Sequence, residues 1–255
     1  MKTASVAVTR VVPASRDCVQ DLVAIEEPLE IRAGERTVTI TMRTPGDDYD
    51  LAAGFLFAEG VIRSHDDLES LRHWGSPNLV RASLKRANFA NVGRNFAATS
   101  SCGVCGKTSI DALRVSARAL PARAPVASAV VHSLMRTLHD AQSAFQSTGG
   151  VHGAALFSRD GELLCVREDV GRHNAVDKVI GSFVRTGPIP GGAILAVSSR
   201  ASFEIVQKAI VAGLDTLAFA GAPSSLAVDL ARECGLTLLA FVREGRFNVY
   251  SGAVA

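Results

Sequence analysis

No stretch of this chain is apolar over the roughly 20 residues that a helix needs to cross a bilayer, and its cleanest apolar runs are only strand-sized. A membrane-spanning helix is therefore not expected. Charge of one sign is also lacking: 27 Lys and Arg against 25 Asp and Glu leave a net +2. That balance argues against a general binder of nucleic acid or acidic membranes, so any basic site must be local. The first ten residues, MKTASVAVTR, hold one lysine and too short an apolar run for a secretory core. The cysteines are few and odd in number: Cys18, Cys102, Cys105, Cys165 and Cys234. Without an export signal, reduced thiols and a cytoplasmic location are expected rather than a disulfide framework. There are no repeats and no low-complexity tracts. At 255 residues and 47% hydrophobic, the chain can bury a large core in one or two domains.

The segment ARALPARAP at 117–125 carries two prolines and reads as a linker. It suggests a β-rich N-terminal domain over 1–122 and a second domain over 123–255. In the first, Leu29 to Ile31 and the alternating Val38, Ile40 and Met42 flank Ala33-Gly34 and predict a hairpin with those apolar residues on its buried face. Asp47 and Asp48 then open a helix through Leu51, Phe55, Ala58 and Ile62, with Gly60 near its end. The pattern weakens from Ser76 to Ser101, and SSCGVCGK falls on an expected mobile loop at about 97–109.

In the second domain, Ala127, Val130, Leu134, Leu138, Ala141 and Phe145 step at helical spacing. Two strands, 154–157 and 163–166, follow around Arg159-Asp160-Gly161, where Asp-Gly signals a hairpin. Helices near 174–184, 202–213 and 225–234 then alternate with strands 193–197, 216–220 and 236–242. This order predicts a three-layer α/β/α domain with a mixed sheet.

In such sheets ligands bind beyond the carboxyl ends of the strands, beside helix N-termini that favour anions. Asp169 to Asn174, Ser198 to Ser202, Gly221 to Ser225 and Arg243 to Arg246 all fall there. They gather arginine, hydroxyl and glycine, chemistry suited to phosphate or a polar heterocycle. The plainer alternative is that Ser202, Ser224 and Asn174 cap helices and the glycines make turns. His173 has Asp169 and Asp177 near it in sequence but no nucleophile, so no triad is claimed. The pair Cys102 and Cys105 could form a disulfide, share a metal or carry a persulfide. Zinc would need two further ligands, whereas Cys165 and Cys234 lie in apolar segments and read as buried hydrophobes.

The segments EEPLEIR, TMRTPGDDYDLAAGFLFAEG, SSCGVCGK, REDVGRHNAVDKVIG, RASFEIVQKA, APSSLAVDLA and FVREGRFNVY together span most of Glu26 to Tyr250. In combination they resemble the FdhD-type formate dehydrogenase accessory sulfurtransferases. The resemblance implies a cytidine-deaminase-like C-terminal α/β/α domain and a smaller β-rich N-terminal one. Deaminase chemistry needs His-x-Glu and Pro-Cys-x-x-Cys at two helix starts. Here those starts read GRHN and SSRASF, and no His-x-Glu occurs, so no structural metal is expected.

The implied task is to accept sulfur from a cysteine desulfurase as a persulfide and pass it to the bis(molybdopterin guanine dinucleotide) molybdenum cofactor, which then enters formate dehydrogenase. Cys102 is expected to carry the persulfide and Cys105 to assist. The cofactor site is expected at Phe241, Val242, Arg243, Glu244, Gly245 and Arg246, with Arg172, His173, Ser198, Arg200 and Ser224 contributing; guanine nucleotide would mimic the cofactor there. The resemblance further implies a homodimer, with no nucleic-acid or membrane partner. A cofactor scaffold whose thiols are incidental, or a dithiol oxidoreductase, are the alternative readings.

Overall fold

The structure is a computed structural model, and it describes residues 2–89, 120 and 124–255. The expected cysteine loop and the 122/123 boundary both lie outside the described residues. The described residues form three sheets. Strands β1 (Thr3–Val12) and β2 (Ser15–Ala24) form an antiparallel ribbon. Strands β3 (Glu27–Ala33), β4 (Arg36–Arg43), β5 (Leu68–His73) and β6 (Leu79–Leu84) form a four-stranded sheet in the order β4-β3-β6-β5. The third sheet has six strands, in the order β12-β11-β10-β9-β7-β8: β7 (His152–Phe157), β8 (Leu163–Asp169), β9 (Ile194–Val197), β10 (Thr216–Phe219), β11 (Thr237–Arg243) and β12 (Arg246–Ser251).

The helices are α1 (Asp48–Ala58), α2 (Ser128–Asp140), α3 (Ser143–Thr148), α4 (Arg172–Val184), α5 (Phe203–Val211) and α6 (Ser225–Cys234). Strands β9, β10 and β11 run parallel, as the strand–helix alternation requires, whereas β7 runs antiparallel to both β8 and β9. Leu134 and Leu138 of α2 pack with Ala155, Ile194, Ala196 and Leu239 on one face of the large sheet. On the other face, Val176, Ile205 and Ala227 of α4, α5 and α6 pack with Leu156, Leu195, Leu217 and Leu238. Helices thus cover both faces of a mixed sheet.

The same buried cluster continues from α4 through Leu51 and Leu56 of α1 to Leu29, Ile31, Val80 and Ala82 of the four-stranded sheet. The α1/α4 crossing is close because each helix offers a glycine. A Cβ on Gly54 would lie 1.9 Å from the Asp177 carbonyl oxygen, and one on Gly181 would lie 1.8 Å from that of Asp50.

The β3/β4 hairpin forms as expected, but its buried face is different. Ile31 pairs with Thr39 and Arg32 with Thr37, leaving Val38 as the extra residue of a bulge. Adjacent Val38 and Thr39 are both buried, and beyond the bulge Thr41 and Arg43 point inward while Ile40 is exposed. One inserted residue exchanges the two faces of everything that follows. The inward polar row is put to use: Arg43 grips Asp48 at the start of α1 with two bonds of 2.9 and 3.0 Å, both side chains being buried.

Candidate functional site

Because β7 is antiparallel to its neighbours, the end of β8, the start of β7 and the ends of β9, β10 and β11 lie along one edge of the large sheet. The four segments expected to bind are therefore neighbours, and hydrogen bonds join those that follow β9, β10 and β11. Gly221 N–H donates to Ser199 O at 3.0 Å, Ala201 forms a bridge with Pro223, and the Arg243 guanidinium donates to Ala220 O at 2.9 Å.

The expected residues divide by role. Phe241 is 41% exposed and holds φ +53°, within a register shift between Ala240 and Arg243; an aromatic residue held in the left-handed region is uncommon. Val242 is fully buried beneath α2. Glu244 is exposed and paired with Arg136. Gly245, at φ +80°, makes the turn that sends the chain back as β12, beginning at the exposed Arg246. Ser224 is a helix cap, accepting from Ala227 N–H at 3.3 Å. Ser198 Oγ accepts from Gly153 N–H at 3.0 Å. Arg200 is exposed, and its stem and backbone pack on Gly221.

Two other presumptive caps do different work. Ser202 precedes α5 but makes no side-chain cap; its Oγ lies 3.2 Å from His173 Nε2, with Glu204 Oε2 at 3.8 Å from the same nitrogen. The adjacent His173 ring holds the Glu204 carboxyl down at about 2. Stability from a depressed carboxyl is present above its ordinary pKa and is lost as the pH falls through its folded value. The Glu204 contribution is therefore complete above about pH 4.5 and gone below about pH 2. Glu204→Gln should flatten the fall in unfolding free energy across that window, measured by urea titration; an unchanged slope would exclude the pair as its source.

Asn174, inside α4, belongs to a buried network. Its Nδ2 donates to Asp169 Oδ1 (3.0 Å) and to Met42 O (2.8 Å), and its Oδ1 accepts from Thr41 Oγ1 (3.3 Å). Asp169 also accepts from the N–H groups of Thr44 (3.1 Å) and Gly171 (2.8 Å). Its Oδ2 lies 2.7 Å from Lys178 Nζ, and both of these side chains are wholly buried. Lys178 in turn donates to Thr44 O at 2.8 Å. Much of the motif REDVGRHNAVDKVIG therefore serves to bolt the four-stranded sheet to the rim.

On the α2 side the rim opens into a cavity of about 560 Å³. Met135, Leu138, Phe145 and Val151 give it apolar walls, and Gln142, His139, His152, Ser198 and Arg243 are its polar lining. Burial, and then the charge of Arg172, holds the His152 imidazole below its usual pKa and so favours the neutral ring. Gln142 and His152 were not anticipated from sequence, although Gly149-Gly150 and Gly153 beside them mark a place where backbone and side chains come close.

Cys102 and Cys105 lie outside the described residues. Cys234 is buried in the core as expected, whereas Cys165 is half-buried, with its Sγ 3.3 Å from Ser182 Oγ, and Cys18 is exposed on the ribbon. Among the described residues no cluster of His, Cys, Asp and Glu is arranged to hold a metal ion, and no helix is long and apolar enough to cross a membrane.

Comparison with known proteins extends this picture. The model of the FdhD/NarQ family matches residues 24–254. The chain is 50% identical over 248 residues to a sulfur carrier protein FdhD of Mycolicibacterium paratuberculosis, covering 91% of each chain. It is 48% identical to one of Nocardia farcinica, covering 98% of this chain and 94% of that protein. A crystal structure from Desulfotalea psychrophila, described as a candidate formate dehydrogenase accessory protein, superimposes with a TM-score of 0.82 at 25% identity, over 99% of this chain and 98% of that one.

Proposed function

The chain belongs to the FdhD/NarQ family, and from that premise we propose that it is a sulfur carrier that matures formate dehydrogenase. The observation that carries this reading is the identity with sulfur carrier proteins across about nine-tenths of both chains. In this reading the Cys102 thiolate attacks the terminal sulfur of a persulfide on a cysteine desulfurase. The donor's S–S bond breaks, its cysteine leaves as a thiolate, and Cys102 holds the new persulfide. Cys105 assists or relays, and the sulfur passes to the bis(molybdopterin guanine dinucleotide) cofactor, which is substrate here rather than a resident group.

The rim supplies what such a substrate requires. Arg243 in the lining of the cavity offers a guanidinium to a phosphate, and the apolar walls accept a flat ring. The layering around the large sheet supports a cytidine-deaminase-like domain over 123–255, with a β-rich one before it. The starts of α4 and α5 carry His173 and Ser202 where a deaminase would hold zinc ligands, which fits a fold turned from deamination to binding. A cytoplasmic homodimer completes the proposal.

Guanosine diphosphate titrated by calorimetry tests the site. Arg243→Ala should weaken binding at least about tenfold, the loss of one hydrogen bond to a charged group. Arg246→Ala should cost less, since Arg246 does not line the cavity. Equal affinities for wild type and Arg243→Ala would move the cofactor elsewhere.

A further inference from the structure

Gln142 stands at the break between α2 and α3. Its backbone N–H donates to His139 O at 3.1 Å, and its carbonyl accepts from Gln146 N–H at 3.0 Å. The side chain is only 2% exposed and lines the cavity. Its amide packs closely against Gly153: a Cβ at Gly153 would come within 2.4 Å of Gln142 Cδ and 2.5 Å of Nε2. The glycine therefore fixes where the amide rests. Yet the Nε2 group, fully buried, has no hydrogen-bond partner.

A buried amide donor left unpaired costs free energy, and native proteins rarely keep one without a reason. Here the unpaired amide belongs to a side chain on the wall of a cavity whose lining also includes the apolar Leu138 and Phe145 and the cationic Arg243. A ring lying between those walls would present its edge to Gln142 while its phosphates face Arg243.

We propose that Gln142 is the specificity residue of this site, donating from its side-chain amide to a ring carbonyl of the bound heterocycle, with Gly153 as its positioning residue. This inference rests on the reading of the rim as a cofactor site, and it assigns the end of the ligand that Arg243 does not hold. An amide donor set in an apolar slot discriminates by penalty: a ligand without an acceptor leaves the donor unpaired.

The probes are guanosine diphosphate and inorganic pyrophosphate, titrated against the full-length protein. Gln142→Met keeps the length and bulk of the side chain and removes the donor. It should weaken guanosine diphosphate about tenfold, the loss of one hydrogen bond, and leave pyrophosphate unchanged. Gly153→Ala, which must push the amide aside, should reproduce that pattern in a variant whose thermal unfolding confirms that it is folded. Arg243→Ala, by contrast, should weaken both ligands. If Gln142→Met binds guanosine diphosphate as wild type does, or loses pyrophosphate equally, the role of Gln142 is overturned while the cofactor site stands. If wild type binds neither ligand, the cofactor site itself falls, and this inference with it.

Discussion

Cells whose only copy of this protein carries both Cys102→Ser and Cys105→Ser should lose formate dehydrogenase activity down to the level of a deletion. A persulfide must be held on sulfur, and a serine hydroxyl can neither attack the sulfane sulfur of a donor nor carry the product. The loss should therefore be complete rather than partial, while the amount of folded protein is unchanged. The single replacements separate the roles: Cys102→Ser should match the double variant, and Cys105→Ser should retain whatever transfer Cys102 achieves unaided. Full activity in the double variant would mean that the thiols are incidental and that the protein serves the cofactor as a scaffold.

The second large effect concerns stability. Lys178→Met should destabilise the fold by about 3 to 5 kcal/mol, because it leaves the Asp169 carboxylate buried without its counter-charge. Thr44, Gly171 and Asn174 still donate to Asp169, but a carboxylate taken out of water at 0% exposure needs the opposite charge that Lys178 supplies at 2.7 Å. For a chain of this size the melting temperature should drop by roughly 6 to 20 °C, as read by circular dichroism. A change of a degree or two would show that the rim and the four-stranded sheet are held together by other means.

Sequence patterns were reliable where the forces are local. The helix at 225–234 was expected and is observed as Ser225–Cys234, since Ser224 caps it and its apolar face repeats at helical spacing. The β7/β8 hairpin followed from Asp160-Gly161. Elements with no buried face of their own, or at the edge of a sheet, leave no such pattern. The β1/β2 ribbon pairs only with itself and leaves Val11, Val12, Leu22 and Val23 exposed, so no buried face imposes a clean alternation. Strand β12 is an edge strand hidden in FVREGRFNVY, a segment read there as a ligand-binding turn. The exposure of Ile40 turned on a bulge that no local pattern marks.

The same division holds at the site. The topology rule placed the rim, and Arg243 and Ser198 do line its cavity. What the sequence could not show is which residues arrive from elsewhere. Glu204 reaches His173 from the next helix. Gln142 meets Gly153 only where the chain returns from α3 into β7, and that contact depends on three-dimensional packing rather than on spacing along the chain.

The central claim is that sulfur travels on this protein as a persulfide, and mass spectrometry of the peptide containing Cys102 and Cys105 tests it most directly. After incubation with a cysteine desulfurase and cysteine, the wild-type peptide should gain about 32 Da, one sulfur atom, and lose it on reduction by a thiol. The gain should be absent in Cys102→Ser. A wild-type peptide of unchanged mass, in the presence of a desulfurase shown to be charged with sulfur, would contradict the account.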